Sequence, residues 1–308
     1  MEAAVDRLQS ILVVIDPSDR GRHVLAKATA LARCFDASLE LFLCDSERAF
    51  ALRHAYDPTG VAEAERDCLR TGQERLESIR SALPKELRVS IHVACESPLY
   101  EAIVRRVKAV KPDLVMKSVA GQHPDQPFTL DTNDWELART CPVPVMFTRG
   151  RPWTAQSRFV AAVDLGEGES REVARAILRV ASALARGSGA GLDVVYSRAA
   201  AADSATAERH REELRELVRE HAVGCDQMHV LTGEPEETLP AFGGQGRYDM
   251  MVVGALTQRE SVAALVGTLT GKLVDALDCD FVLVKSESYQ CPIENGREAT
   301  TGVSDTMS

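Results

Sequence analysis

The chain alternates between short apolar runs and longer stretches in which apolar residues recur every three or four positions. A run of four to eight β-branched-rich residues reads as a buried strand, and the longer spacing reads as one face of a helix. ILVVID (11–16) therefore predicts a strand and GRHVLAKATALARCF (21–35) a helix. ASLELFLCD follows as a strand, VAEAERDCLRTGQERLESIRSAL as a long polar helix, LRVSIHVAC as a strand and PLYEAIVRRVKAV as a helix. PDLVMKSV is the fourth strand, a shorter helix begins near Asp134, and PVPVMF closes the set.

The second half repeats this order. FVAAVDL (159–165) mirrors ILVVIDP and sets Asp164 opposite Asp16; AGLDVVYS mirrors ASLELFLC. MHVLTGEPEE mirrors IHVACESPLY, so His229 answers His92, while YDMMVVGA mirrors PDLVMKSVA and CDFVLVK mirrors CPVPVMF. Five correspondences in sequence order predict a duplicated βαβαβαβαβ unit. Apolar strands alternating with helices imply a parallel sheet covered on both faces, and right-handed crossovers make it doubly wound. The expected fold class is α/β: two tandem Rossmann-like domains, each a five-stranded parallel sheet with helices on both faces. The expected boundaries are 1–148 for the first domain, 149–157 (RGRPWTAQS) for a linker, 158–288 for the second domain and 289–308 for a flexible tail. PVPVMF and CDFVLVK would each be a bare sheet edge, and bare edges must be covered. If they cover each other, the chain is an internal pseudo-dimer, which could pair further as a homodimer.

Composition narrows the function classes. The 308 residues are 45% hydrophobic and 27% charged, the profile of a globular protein in water. No apolar run approaches the roughly 20 residues that span a bilayer, and the N-terminus lacks the basic start and apolar core of an export signal. A net charge of −10 disfavours nucleic acid as a partner. Eight cysteines without a CxxC pair read as reduced thiols packed as small hydrophobes, hence a cytoplasmic protein without a zinc site.

The strand-end aspartates, the TGEP turn (232–235) and the glycine-bearing link after the fourth strand, with LVVIDPSD, FTLDTNDWELARTCPVPV and SYQCPIE, resemble the universal stress protein family over residues 10 to about 294. The likeness is to its tandem-domain members. It implies a fold of the adenine nucleotide alpha hydrolase type, binding of ATP or AMP with Mg, and a role in stress response. Ligand at the strand C-termini also follows from the geometry of open α/β sheets.

Nucleotide-binding members carry Gly-x2-Gly-x9-Gly-[Ser/Thr] after the fourth strand. Bare backbone can approach phosphate oxygens, and the last pair opens a helix whose free N–H groups hold an anion. Here Gly254, Gly267 and Thr268 fill three positions, and Thr257 replaces the second glycine. Asp164, Leu165, Tyr196 and Leu269 occupy the other positions that the resemblance assigns to the nucleotide. Asp164 could instead cap the following helix, and Tyr196 could stack on a base or belong to the core edge. The first copy keeps only Gly121, and Asp131 and Asp134 there favour capping and repel phosphate. It is expected not to bind ATP in the family manner.

Rival chemistries fall away. GTLTGK (267–272) is one residue short of a phosphate-binding P-loop, and Leu273 stands where its Ser or Thr belongs. GGQG (243–246) precedes a strand and so lies at the wrong end of the sheet. No paired general acid and base emerge, which points to a binding protein. Slow ATP hydrolysis with Asp164 holding the metal is one alternative. An adaptor, with degenerate pockets that are empty or hold an apolar metabolite, is the other.

Overall fold

A computed structural model describes residues 8–16, 22–55, 58–119, 130–154, 156–165, 169–198, 204–220, 224–255, 272–273, 277 and 279–294. The first half runs β1 (Ser10–Ile15), α1 (Arg22–Phe35), β2 (Ser38–Cys44), α2 (Ser46–Arg53), α3 (Pro58–Ala82), β3 (Val89–Ala94), α4 (Leu99–Val110), β4 (Leu114–Ser118), α5 (Thr132–Thr140) and β5 (Val145–Thr148). The second half gives β6 (Arg158–Val163), α6 (Glu169–Ser188), β7 (Gly191–Arg198), α7 (Ser204–Glu220), β8 (Gln227–Thr232), α8 (Pro235–Gly243), β9 (Met250–Gly254) and β10 (Asp280–Val284). Helix α2 is an element the apolar pattern does not announce. Its sequence SERAFALR buries only Ala49, and it starts because the Asp45 side chain accepts from the Arg48 N–H.

All the strands join one sheet in the order β3-β2-β1-β4-β5-β10-β9-β6-β7-β8. Read from the middle outwards, the two halves carry the same order. Within each half the strands are parallel, and β5 and β10 meet antiparallel with Met146 opposite Val282 and Phe147 opposite Phe281. The edges anticipated from PVPVMF and CDFVLVK therefore cover each other, and all four of these side chains are buried.

Alternate strand residues feed two cores. Ile11, Val13 and Ile15 belong to the core that also takes in α1, α3, α6 and α7, whereas Leu12 and Val14 belong to the one that takes in α4, α5 and α8. Both faces hold contacts between the halves. On the first, α1 packs on α6, and Gly187 receives the Phe35 ring so closely that a Cβ there would sit 2.1 Å from Phe35 Cε2. On the second, Lys285 Nζ donates to the carbonyls of Ala138 and Cys141 at 2.5 and 2.6 Å, at the end of α5.

Residues 289–294, expected to begin a loose tail, are docked on the first half. The Tyr289 hydroxyl donates to Arg139 O at 2.5 Å, Lys108 Nζ donates to Ile293 O at 2.6 Å, and Cys291 and Ile293 pack against the second core. These contacts reach back 150 and 185 residues, so a local reading for periodicity misses them. Residues 295–308 lie outside the described residues. No helix among the described residues is long and apolar enough to cross a membrane.

Candidate functional site

Parallel strands place all their C-terminal ends at one rim of each half-sheet. In the second half, β6 has β9 on one side and β7 on the other, so the winding direction reverses between β6 and β9. A crevice opens at such a reversal. Asp164 follows β6 there and is exposed, while Leu165 is half-buried against the first core. Gly254 ends β9, level with Val284 of β10. A Cβ on Gly254 would lie 2.9 Å from Val173 Cγ1 in the second turn of α6, so the helix packs closely on this strand end, and Asp164 leaves the paired strand β6 at the same rim. Thr257, Gly267, Thr268 and Leu269 fall outside the described residues.

Tyr196 stands level with Val163 but is only 8% exposed. Its hydroxyl is 3.2 Å from His210 Nδ1, and the two rings meet edge-on with centroids 5.3 Å apart. The ring is thus taken up between β7 and α7, as a core-edge residue would be. The neighbouring TGEP segment makes a turn at Gly233, whose φ of +135° favours glycine. Ser197 Oγ fixes that turn by donating to Gly233 O at 2.9 Å.

The corresponding rim of the first half carries different chemistry. The register of the repeat sets Lys117 and Ser118 where the second half has Val253 and Gly254. Lys117 Nζ lies 2.6 Å from Asp134 Oδ1, and that carboxylate is fully buried. Asp131 and Asp134 form a capping box at the start of α5: Asp134 N donates to Asp131 Oδ1, and Asp131 N to Asp134 Oδ2. Burial pushes the Asp134 carboxyl up, and the Lys117 ammonium opposes the shift. Ser118 Oγ sits 3.3 Å from His23 Nε2, and Arg75 donates to the Asp16 carbonyl at 3.3 Å. Burial and nearby Lys27 lower the His23 pKa, against a hydrogen bond to the Thr148 backbone. Gly121 is outside the described residues.

Both strand histidines have structural partners. His92 stacks on Phe42 with centroids 5.9 Å apart. His229 Nε2 is 3.2 Å from Asp193 Oδ2, a 2%-exposed carboxylate that also accepts from Tyr248 at 2.8 Å and Arg158 at 2.5 Å. Three donors satisfy this buried charge. The sequence pattern does not single out Asp193, since an acidic residue on an apolar strand reads as an outward-facing position. Arg158 opens β6 and Tyr248 precedes β9, so the cluster lies at the rim opposite the crevice.

Residues 7–149 match the model of the Universal stress protein family. Along the whole chain there is similarity to Universal stress protein E of Salmonella typhi, 25% identical over 311 aligned positions that cover 93% of this chain and 97% of the relative. The Escherichia coli K12 protein of the same name is 24% identical, covering 93% and 96%. Among solved structures, a functionally unknown Pseudomonas aeruginosa PAO1 protein superposes with a TM-score of 0.71 at 25% identity, covering 92% of this chain and 95% of its own. A universal stress protein from Archaeoglobus fulgidus gives 0.64 at 12% identity, covering 92% and 98%, a likeness of fold. The chain is thus matched to the universal stress protein family over residues 7–149 and is similar along its length to universal stress protein E.

Proposed function

We propose that the chain is a cytoplasmic stress-response protein that binds one adenine nucleotide, ATP or AMP, at the crevice between β6 and β9. The observation that carries this reading is the asymmetry of the two rims. At the second, a glycine ends β9 beside an exposed carboxylate, and the motif residues Gly267 and Thr268 follow in sequence. At the first, the equivalent positions hold a lysine bonded to a buried aspartate and a serine against a histidine. Charge and bulk there take the space that a phosphate would need, and the buried carboxylate would repel it.

In this reading Asp164 faces the ribose or a Mg ion, and Leu165 and Gly254 form the floor of the crevice. Thr257, Gly267, Thr268 and Leu269 follow the family's phosphate-binding order, with the Thr257 hydroxyl as a donor where the family has bare backbone. Tyr196 shapes the wall through its bond to His210 and does not stack on the base. The first half serves as the structural mate of the second, so the chain acts as its own pseudo-dimer. The role is binding, with ATP hydrolysis at most slow.

The test is purification under native conditions, extraction and mass spectrometry of the bound small molecules. Copurified ATP or AMP, lost in Gly267→Glu, supports the proposal. A bound apolar metabolite, or an empty protein that does not take up added ATP, rejects it.

A further inference from the structure

Three cysteines converge where β2, β3 and α3 meet. Cys44 ends β2, Cys95 follows β3 directly, and Cys68 lies on the buried stripe of α3 with Gly72 and Leu76. The helix approaches the sheet closely because residue 72 has no side chain: a Cβ there would lie 2.5 Å from Val93 Cγ1 and 3.4 Å from Leu43 Cδ2. Helix α3 joins two parallel strands and so runs back against them. One turn back from Gly72 covers about 5–6 Å, close to two residues forward along a strand. That step leads from Gly72 to Cys68 on the helix and from Val93 to Cys95 on the sheet side, which sets the two thiols on the same helix–strand contact.

We propose that Cys68 and Cys95 form a site of reversible oxidative modification, closing to a disulfide that ties α3 to the end of β3. The oxidant is a hydroperoxide. The half-exposed Cys95 sulfur attacks the outer peroxide oxygen, the O–O bond breaks, and the products are a Cys95 sulfenic acid and water or an alcohol. The buried Cys68 sulfur then attacks the Cys95 sulfur, and hydroxide leaves with the Cys68 proton as water. The two sulfurs lose two electrons, and the peroxide gains them.

Cys44 is set apart. It belongs to the core on the other face of the sheet, and its thiol donates to Glu96 O at 3.2 Å. The surroundings also set the rate. Burial, the partner thiol and the carboxylates Asp45 and Glu65 push the Cys95 thiol up to about 12. Burial and Asp45 likewise raise Cys68, against the Cys95 contact and the Arg48 guanidinium. Little thiolate is present near neutral pH, so the bond forms slowly, under sustained oxidant.

The experiment treats the full chain with hydrogen peroxide, alkylates the remaining thiols and maps the peptides by mass spectrometry. The expected product is a cross-linked pair containing Cys68 and Cys95 with two hydrogens lost, reversed by dithiothreitol. It persists in Cys44→Ser and disappears in Cys95→Ser. In Cys68→Ser, a sulfenic acid trap labels Cys95. A Gly72→Ala chain with an unchanged circular dichroism spectrum cross-links severalfold less. A Cys44–Cys95 bond, or Cys68 and Cys95 both recovered as alkylated thiols after the exposed Cys34 is oxidised, overturns the proposal.

Discussion

Lys27 Nζ on α1 lies 2.5 Å from Asp280 Oδ2 on β10, a buried ion pair between residues 253 positions apart. The two side chains are 4% and 2% exposed. Lys27 also donates to the Arg149 carbonyl at 3.0 Å and lies over the Trp153 ring. Asp280 accepts from Arg149 N at 2.7 Å and Trp153 Nε1 at 2.8 Å. A helix of the first half, the segment between the halves and the last strand of the second are thereby held at one point. Burial pushes the lysine pKa down and the carboxyl up, each opposed by its partner. Neither charge tolerates the loss of the other.

Asp280→Ala is therefore expected to destabilise the chain by about 3–5 kcal/mol, because it strands a buried ammonium. Replacing both partners, Lys27→Met with Asp280→Leu, is expected to recover most of that loss. Urea unfolding of the two variants checks it; a double variant as unstable as the single one contradicts the account.

Lys285 gives a pH dependence with a definite sign. Burial lowers its amine from 10.5 to about 8. Between those values the folded chain binds fewer protons at this site than the unfolded chain, so the stability attributable to Lys285 rises as the pH climbs from about 8 to about 10.5. Below that window the cost of the buried charge is fully present, at most about 3 kcal/mol. Cys141 and Tyr289 titrate above the amine, pushed up to about 11 and about 12. The measurable quantity is the unfolding free energy of the parent minus that of Lys285→Met, which should grow across the window. A flat difference would mean that the amine is solvated.

The α1–α6 contact depends on a missing side chain. A Cβ at Gly187 would overlap the Phe35 ring, so Gly187→Val is expected to force the helices apart and cost about 1–3 kcal/mol. Phe35→Leu in the same background should restore part of it. Thermal unfolding of the two chains decides this.

Much of the fold could be read from the chain because strands buried on both faces are almost wholly apolar. ILVVI, MMVV and FVLV can be little else, and the mirrored order of the two copies was visible once they were aligned. What escaped depends on partners far away in sequence. Asp280 looks like a strand-start residue until Lys27 reaches it, and Lys285 gives no sign that it caps α5. SYQCPIE could be recognised as a motif, while its hold on Arg139 and Lys108 could not. For the site, Asp164 and Gly254 could be placed at one rim from strand order alone. The burial of Tyr196 could not, because it depends on a histidine of α7. The Lys117–Asp134 pair likewise required the fold: each residue is unremarkable alone, and only the sheet brings β4 and α5 together.

The central claim, one nucleotide crevice in a duplicated chain, is tested most directly by isothermal titration calorimetry with ATP on the nucleotide-free protein. The expected stoichiometry is one per chain, abolished in Gly267→Glu and unchanged in Lys117→Met. Two sites per chain, a single site that vanishes with Lys117→Met and survives Gly267→Glu, or no heat of binding would each contradict it.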